Sequence, residues 1–313
     1  MKISFVIPCY RSENTITGVV EEINTKMAEL NYEYEIVLVN DSSPDGTFTV
    51  IKNIAQNDNH VTAIDLAKNF GQHCALMAGM RQTDGDVVVC LDDDGQTPAD
   101  EVDKLLDKLD EGYDVCYASY GKKQHSGFRN FGSKVNDLMT RVMLGKPKEL
   151  YVSSYFAAKR FVVDDMLRYE QPYAYVMGLV LRATKNVVNV EVKHRARTEG
   201  TSGYTLKRLI ALWFNGFTAF SIKPLRIATF IGCLCAGTGF LYGIFTILKK
   251  VVLELFFQYE VQAGFSALMS VLVFIGGMIM LMLGLIGEYV GRIYICMNNS
   301  PQYVIREIVN SKK

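Results

Sequence analysis

The first half of the chain alternates short apolar runs with longer amphipathic stretches. The apolar runs are rich in Val, Ile and Leu, which is typical of strands buried inside a parallel sheet. They cover 3–7, 35–39, 61–66, 86–91 and 114–118, and the amphipathic stretches cover 16–30, 48–56, 71–81 and 99–109. This order predicts an α/β fold with a doubly wound, mostly parallel sheet. Such sheets bind their ligands at the carboxyl ends of the strands.

Two long runs without charge lie in the second half, at 227–248 and 263–287. Each exceeds the roughly 20 residues that a helix needs to cross a bilayer. A buried helix of a soluble protein is the alternative, but two such runs at one end of a chain are difficult to bury. We therefore predict two transmembrane helices. The flanking basic residues favour both ends in the cytosol, whereas Lys249 and Lys250, between the runs, oppose that arrangement.

Segment 204–225, just before the first uncharged run, is amphipathic and aromatic. It either packs on the globular domain or, as its position favours, lies as a helix in the membrane interface. The N-terminal apolar run is too short for a signal peptide. We predict a cytosolic α/β domain at 1–203, the interface region at 204–225, a transmembrane hairpin at 226–291 and a cytosolic tail at 292–313.

Composition narrows the range of partners and cofactors. The 313 residues carry 33 basic and 33 acidic side chains, and this balance gives no indication of a nucleic-acid partner. The seven cysteines form no CxxC pair, so we expect reduced thiols that pack in the core. The four histidines form no zinc-binding cluster either.

The loop after the second predicted strand runs from Asn40 to Thr47 and contains Pro44, Asp45 and Gly46. A Pro-Asp-Gly sequence predicts a turn, and Asp45 is placed to cap the helix that follows. Neither role accounts for Asp41, a carboxylate at the tip of a buried strand. At that position, we expect Asp41 to accept hydrogen bonds from a base or a ribose.

Three adjacent carboxylates, Asp92, Asp93 and Asp94, follow the fourth predicted strand. They repel one another, and binding of a hard divalent cation would relieve that repulsion. Mg²⁺ or Mn²⁺ typically uses one or two carboxylates together with a substrate diphosphate. An acidic loop that caps the helix beginning near Pro98 is the alternative interpretation, and spacing alone does not decide between the two.

Three motifs taken together resemble the family 2 glycosyltransferases of the GT-A fold. They are Pro8-x-Tyr10, Asp41-x-Ser43-x-Asp45-Gly46-Thr47 and Asp92-x-Asp94-x-Gln96. The stretches 69–73, 77–79, 197–202 and 284–294 are similar to the polyisoprenyl-phosphate group, which includes dolichol-phosphate mannose synthase and bacterial undecaprenyl-phosphate glycosyltransferases. The resemblance extends over nearly the whole chain, including the two predicted spans.

The resemblance implies roles for individual residues. Asp41 corresponds to the nucleotide-binding acid, Asp92 to the acid near the ribose and diphosphate, and Asp94 with Gln96 to the metal site. Pro8, Tyr10 and Asp93 line the same substrate site. The positions that face the acceptor phosphate correspond to Arg129, Ser133, Arg197 and Ser202. Guanidinium groups suit that task because they fork onto phosphate oxygens, although solvated surface is the alternative for both arginines.

The chain departs from the family pattern at three places. Asp93 replaces a small residue, Ser12 replaces an acid, and segment 151–160 lacks the acid and the arginine that many relatives carry there. The last departure argues against a side-chain general base. A phosphate acceptor is already anionic near neutral pH, so positioning and charge neutralisation can supply most of the catalysis.

The resemblance implies inverting transfer of a sugar from a nucleoside diphosphate sugar, with uridine as the expected base, to undecaprenyl phosphate. It also implies an Mg²⁺ or Mn²⁺ cofactor, a homo-oligomer, and a multi-pass protein of the inner cell membrane with its catalytic domain in the cytoplasm. An inactive nucleotide-sugar-binding scaffold is the first alternative. A processive polysaccharide synthase is the second, but the lone tryptophan, Trp213, is not part of the Gln-x-x-Arg-Trp signature of those enzymes.

Overall fold

A computed structural model of the chain describes residues 1–120, 141, 146–172, 174–193, 265–298 and 300–310, and scattered positions between 229 and 248. The chain divides into two compact units. One consists of Met1–Trp213 together with Asn299–Lys313, and the other of Phe214–Asn298. The C-terminal residues therefore belong to the same unit as the N-terminal half.

The first unit contains an eight-stranded sheet. Its strands are β1 (Lys2–Cys9), β2 (Glu33–Asn40), β3 (Val61–Leu66), β4 (Val87–Cys90), β5 (Val115–Tyr120), β6 (Phe156–Lys159), β7 (Val187–Val192) and β8 (Ile305–Val309). They are arranged in the order β7-β5-β6-β4-β1-β2-β3-β8. Strands β6 and β8 run antiparallel to their neighbours, and the remaining pairings are parallel. The prediction of a mostly parallel α/β sheet is confirmed.

Six α-helices and a short 3-10 helix, Ala99–Glu101, accompany the described strands of this unit. The α-helices are α1 (Ile16–Leu30), α2 (Thr47–Asn57), α3 (Gln72–Met80), α4 (Val102–Asp110), α5 (Arg160–Leu167) and α6 (Val176–Ala183). The five predicted strands and the four predicted helices are confirmed within a few residues at each end. Strands β6, β7 and β8 were not predicted because they are short or only partly buried, and their apolar pattern is correspondingly weak.

Helices cover both faces of the sheet, and the alternation within β2 shows how. Ile36 and Leu38 join a large apolar cluster with α1, α2 and α4. Val37 and Val39 point to the other face and join a smaller cluster with α3. Because successive strand residues point to opposite faces, a strand buried on both sides is apolar throughout. The described cysteines are free thiols, and all of them except Cys296 are buried, as expected.

The second unit contains α7 (Phe265–Met297), which continues beyond the uncharged run 263–287. Within the described residues, one helical stretch, Phe274–Met297, is long and apolar enough to cross a membrane. Its large apolar side chains are exposed, among them Phe274, Met280 and Leu283. The first predicted span, 227–248, is described only at scattered helical positions, and the predicted interface region 204–225 lies almost wholly in segments that the structure does not describe.

After α7 the chain contributes β8 to the sheet, as an edge strand antiparallel to β3. From the sequence, residues 292–313 were predicted only to form a cytosolic tail. In the structure the long helix ends at Met297, and the segment 305–309 is a strand of the first unit. The sheet therefore combines residues from both ends of the chain.

Gly79 provides a test of how closely α3 packs on the sheet. A Cβ at this position would lie 2.4 Å from Val6 Cγ1 and 3.0 Å from Val39 Cγ2. We expect Gly79→Ala to lower the free energy of unfolding by about 1–3 kcal/mol, because β1 and β2 have to move. Circular dichroism during heating of the purified protein measures this change.

Gly18→Ala is the matched control, because a Cβ on Gly18 in α1 meets nothing within 4 Å. Alanine is the better helix former, so this variant should gain up to about 1 kcal/mol. Equal melting temperatures for the two variants would contradict the close packing of α3.

Candidate active site

The candidate site lies at the carboxyl ends of four neighbouring parallel strands. In the sheet, β1 pairs with β2 and β4, and β2 pairs with β3. Tyr10 follows β1, Asp41 follows β2, and Asp92 follows β4 closely. The loop 67–71 follows β3 at the same edge. Parallel pairing thus brings together residues that are far apart in the sequence.

Asp41 is buried, and its carboxylate is held by the loop 67–71. Oδ1 accepts the backbone N–H of Phe70 at 2.7 Å, and Oδ2 accepts that of Gly71 at 2.8 Å. Burial raises the pKa of the Asp41 carboxyl, and the two N–H groups act in the opposite direction. Gly71 has a φ of 89°, a backbone conformation that glycine adopts without steric cost. Each carboxylate oxygen retains a lone pair with which to accept a further hydrogen bond.

The loop between Asp41 and α2 is held by its own side chains. Ser43 Oγ donates to Asp45 Oδ1 at 2.6 Å, and the same oxygen accepts the Thr47 hydroxyl at 2.6 Å. Burial opposes ionisation of Asp45, but the bonds from Ser43 and Thr47 outweigh it and lower the pKa of this carboxyl. The predicted turn is present. The N-cap of α2 is Gly46, so Asp45 precedes the cap and is not the capping residue.

Asp92 is fixed by two side chains from other parts of the chain. Gln72 Nε2, at the start of α3, donates to Asp92 Oδ1 at 2.9 Å. The Ser154 hydroxyl donates to Asp92 Oδ2. Because β6 is antiparallel to β4, with Phe156 opposite Cys90, the residues before Phe156 lie beside those after Cys90. The altered segment 151–160 therefore reaches the site through Ser154.

Asp93 turns towards the loop after β1. Its Oδ2 accepts the backbone N–H of Tyr10 at 2.9 Å, and its carbonyl oxygen accepts the Thr15 hydroxyl at 2.6 Å. Burial raises the pKa of the Asp93 carboxyl to about 6. The residue that departs from the family pattern thus joins the β4 loop to the β1 loop. Tyr10 itself is 45% exposed at the rim of the site, with the Arg11 guanidinium 5.7 Å from its ring centroid.

Asp94 and Gln96 are the predicted metal ligands. Asp94 Oδ1 accepts the backbone N–H of Gln96 at 3.0 Å, so the two residues share one turn. Their oxygen donors are the type that Mg²⁺ and Mn²⁺ prefer. No group of three or more His, Cys, Asp and Glu side chains suited to a metal occurs among the described residues. The two residues fit an ion that takes its other ligands from a substrate diphosphate and water.

The structure brings together the predicted residues Tyr10, Asp41, Asp92, Asp93 and Asp94, with Gln96 next to them. Pro8 lies within β1, opposite Val39, and is buried below this edge. The four residues predicted to face the acceptor phosphate lie outside the described residues: Arg129, Ser133, Arg197 and Ser202.

Sequence reasoning did not find the role of Gln72 or that of Ser154. Gln72 lies in the stretch 69–73, which marked the family resemblance without indicating which carboxylate it binds. The signal for Ser154 was the absence of the expected acid in its segment. Its contact with Asp92 depends on the β4–β6 pairing, and no local pattern reports that pairing.

Comparison of the structure with solved structures identifies the fold. One match is glucosyl-3-phosphoglycerate synthase from Mycobacterium tuberculosis, crystallised with Mn²⁺, UDP-glucose and phosphoglyceric acid. The TM-score is 0.51, and the sequences are 19% identical, with 67% of this chain and 75% of that chain covered. A complex of the same enzyme with Mn²⁺ and UDP-glucose matches with a TM-score of 0.50 and 19% identity over 74% and 78%. The likeness extends to the fold alone, since the identities are low.

Comparison of the sequence identifies the family. Residues 4–167 match the model of glycosyl transferase family 2, and residues 223–293 match that of the GtrB C-terminal hairpin. An undecaprenyl-phosphate 4-deoxy-4-formamido-L-arabinose transferase of Proteus mirabilis is 34% identical over 100% of this chain and 95% of its own length. One from Klebsiella pneumoniae is 34% identical over 98% and 94%. The chain therefore belongs to glycosyl transferase family 2, in the polyisoprenyl-phosphate group that its motifs resemble, and is a glycosyltransferase.

Proposed function

We propose that this enzyme transfers a sugar from a UDP-linked donor to undecaprenyl phosphate, with inversion at the anomeric carbon. The observation that carries the proposal is that Asp41, Asp92 and Asp94 all follow strands that end at one edge of the sheet, where the adjacent residues Gly71 and Gln72 donate to Asp41 and Asp92. Support for the acceptor comes from relatives that cover nearly the whole chain and are named as undecaprenyl-phosphate sugar transferases.

The nucleoside of the donor binds at Asp41 in this proposal. The two backbone N–H bonds hold the carboxylate in one orientation, so its remaining lone pairs face a base or a ribose without further loss of conformational freedom. The exposed Tyr10 ring offers an apolar face beside it. Asp93 accepts the backbone N–H of Tyr10, and Pro8 is buried two residues earlier in β1.

The diphosphate of the donor lies along Asp92, Asp94 and Gln96. Asp94 and Gln96 would hold Mg²⁺ or Mn²⁺, which would supply positive charge to the departing diphosphate. Asp92 accepts hydrogen bonds from Gln72 and Ser154, and these two donors keep its carboxylate in one rotamer near the ribose. Two protein ligands suffice for such an ion, because substrate phosphates and water complete its coordination.

The acceptor phosphate meets Arg129 and Arg197 in this proposal, with Ser133 and Ser202 nearby. An oxygen of the lipid phosphate forms a bond to the anomeric carbon from the side opposite the donor diphosphate. The bond from that carbon to the diphosphate oxygen breaks, and the nucleoside diphosphate leaves with the electron pair. The attacking oxygen is already anionic, so the lack of the family's acid in segment 151–160 is compatible with the reaction, and positioning supplies most of the rate.

We further propose that α7 and the run 227–248 form a transmembrane hairpin in the inner cell membrane. The exposed apolar side chains of α7 and the match to a hairpin family support this arrangement. With the catalytic domain at 1–203 in the cytoplasm and the interface region at 204–225, the lipid phosphate approaches from the membrane surface. A homo-oligomer remains part of the proposal on the strength of the family resemblance.

The reaction is tested by offering radiolabelled donors to the purified protein with undecaprenyl phosphate. The donors are UDP-linked glucose, N-acetylglucosamine and 4-deoxy-4-formamido-L-arabinose, with a GDP-linked hexose as the control for the base. We expect one UDP-linked donor to yield a labelled lipid, and excess chelator to abolish the product. No labelled lipid from any donor, by protein that still binds UDP, would favour the scaffold alternative.

Asp94→Asn tests the metal assignment. Because the neutral amide is a poor ligand for Mg²⁺, we expect kcat to fall by about 100-fold or more, with little change in melting temperature. Asp110→Asn, at the exposed end of α4, is the matched control and should keep full activity. Full activity of Asp94→Asn in the presence of metal would overturn the assignment.

Ser154→Ala tests whether the altered segment serves the site. The variant removes the hydroxyl that donates to Asp92 Oδ2, and we expect kcat/KM for the donor sugar to fall about tenfold. Ser154→Thr keeps the hydroxyl and should retain most of the activity. If the alanine variant is as active as the wild type, the hydroxyl contributes nothing to the position of Asp92.

A further inference from the structure

The last described strand, β8, lies beside the loop that holds Asp41. The backbone N–H of Ala67, at the start of that loop, donates to the carbonyl of Val304 at 2.8 Å. The carbonyl of Ala67 accepts Nη2 of Arg306 at 2.8 Å. Both backbone groups of Ala67 are therefore bonded to the segment 304–306. A few residues further along, the same loop presents the two N–H groups that hold the Asp41 carboxylate.

Arg306 also reaches the buried carboxylate of Asp65, at the end of β3. Its Nη1 lies 2.9 Å from Asp65 Oδ2, and the Asp65 side chain is only 4% exposed. A buried carboxylate requires a compensating charge and hydrogen bonds to stay ionised inside the fold. Arg306 supplies the charge from the solvent side, and Asn40 Nδ2 supplies a hydrogen bond to Asp65 Oδ1 at 2.7 Å.

Asn40 connects this ion pair to the site. It immediately precedes Asp41, and its Oδ1 accepts the backbone N–H of Ser43 at 3.2 Å. Ser43 Oγ in turn accepts the backbone N–H of Arg11 at 2.8 Å. Hydrogen bonds thus connect Arg306 through Asp65 and Asn40 to Ser43, in the loop after β2. Ser43 extends the connection to the backbone of Arg11, in the loop after β1.

Apolar contacts hold the same loop from a second direction. Phe70, Tyr303 and Ile305 all pack against the smaller apolar cluster that Val37 and Val39 help to form. Phe70 is also the residue whose N–H binds Asp41 Oδ1. The segment 303–306 therefore shares an apolar cluster with the 67–71 loop, and it contacts the loop directly through a backbone hydrogen bond and the Arg306 guanidinium group.

We propose that Arg306 is a positioning residue for the donor nucleotide. It acts through Asp65, Asn40 and the carbonyl of Ala67, and it keeps the Asp41 carboxylate and the 67–71 loop in their binding geometry. The strand that carries it follows α7 in the chain, so the nucleotide end of the site is completed by the last segment of the sequence. The identity of the ligand rests on the proposed function, whereas the effect of Arg306 on the loop does not.

The test compares Arg306→Ala with Glu307→Ala in the full-length protein in detergent. Glu307 is the next residue of β8 and pairs with Lys52 on α2, so its loss removes an ion pair from the same strand and leaves the Arg306–Asp65 ion pair in place. Calorimetric titration with UDP and Mg²⁺ measures binding. We expect Arg306→Ala to weaken UDP binding about tenfold and to raise the donor KM in proportion, with kcat nearly unchanged.

Two further measurements make the test specific to this geometry. Amide hydrogen exchange in the peptide that covers Phe70 and Gly71 should be faster in Arg306→Ala than in Glu307→Ala. Arg306→Lys keeps a charge near Asp65 but lacks the fork that reaches both Asp65 and Ala67, so it should recover part of the affinity. If Arg306→Ala does not fold, the comparison of Arg306→Lys with Glu307→Ala takes its place, with a smaller loss expected.

Equal UDP affinity in the Arg306 variant and the wild type would overturn the proposal. Equal losses in the Arg306 and Glu307 variants would overturn it as well, because they would report general weakening of β8. A wild-type protein that binds no UDP and transfers no sugar contradicts the proposed function. In that case, exchange at Phe70 and Gly71 still decides whether Arg306 holds the loop.

Discussion

Repulsion among acidic side chains at one edge of the sheet is the constraint on which the rest of the site depends. Asp41, Asp92, Asp93 and Asp94 all follow strands that end at this edge. The fold separates them by giving each carboxylate its own donors. Asp41 receives backbone N–H groups from the loop after β3, Asp92 receives side chains from α3 and the segment before β6, and Asp93 receives the backbone of the β1 loop.

The negative charges stay at one edge of the sheet, while these hydrogen bonds keep each carboxylate in a defined orientation. Concentrated negative charge is costly by itself, and it favours any ligand that brings a cation or hydrogen-bond donors. Burial is the main reason why the pKa values of Asp41 and Asp93 are raised, and the charge of Asp92 adds to the shift of Asp93. A site of this kind is prepared before the substrate arrives, so less binding energy is lost in ordering it.

The supporting residues come from distant parts of the chain. Gln72 and Ser154 orient Asp92, and Arg306 reaches the vicinity of Asp41 from the opposite end of the sequence. Strand β8 closes the sheet beside β3 only after the chain has passed through the long apolar helix α7. The strand that carries Arg306 and the long apolar helix are therefore neighbours along the chain.

The sequence by itself determined the alternating strands and helices of the first half, the acidic edge and the family. Apolar runs of strand length and stretches of helical period are local patterns, and parallel strands necessarily present their carboxyl ends together. Asp41 and Asp92 to Asp94 were therefore recognisable from their position after buried strands. The long apolar helix was recognisable for the same reason, since its length and lack of charge are local properties.

Only the tertiary structure decided which groups hold those acids. The contact of Ser154 with Asp92 follows from the antiparallel register of β4 and β6, and the contact of Arg306 with Asp65 follows from the pairing of β8 with β3. Both depend on residues that are distant along the chain, and the short strands that bring them together have weak apolar patterns. A buried acceptor is bonded by whichever donor the packing places within reach. The acids can therefore be identified from the sequence, whereas their hydrogen-bond partners are decided by the fold.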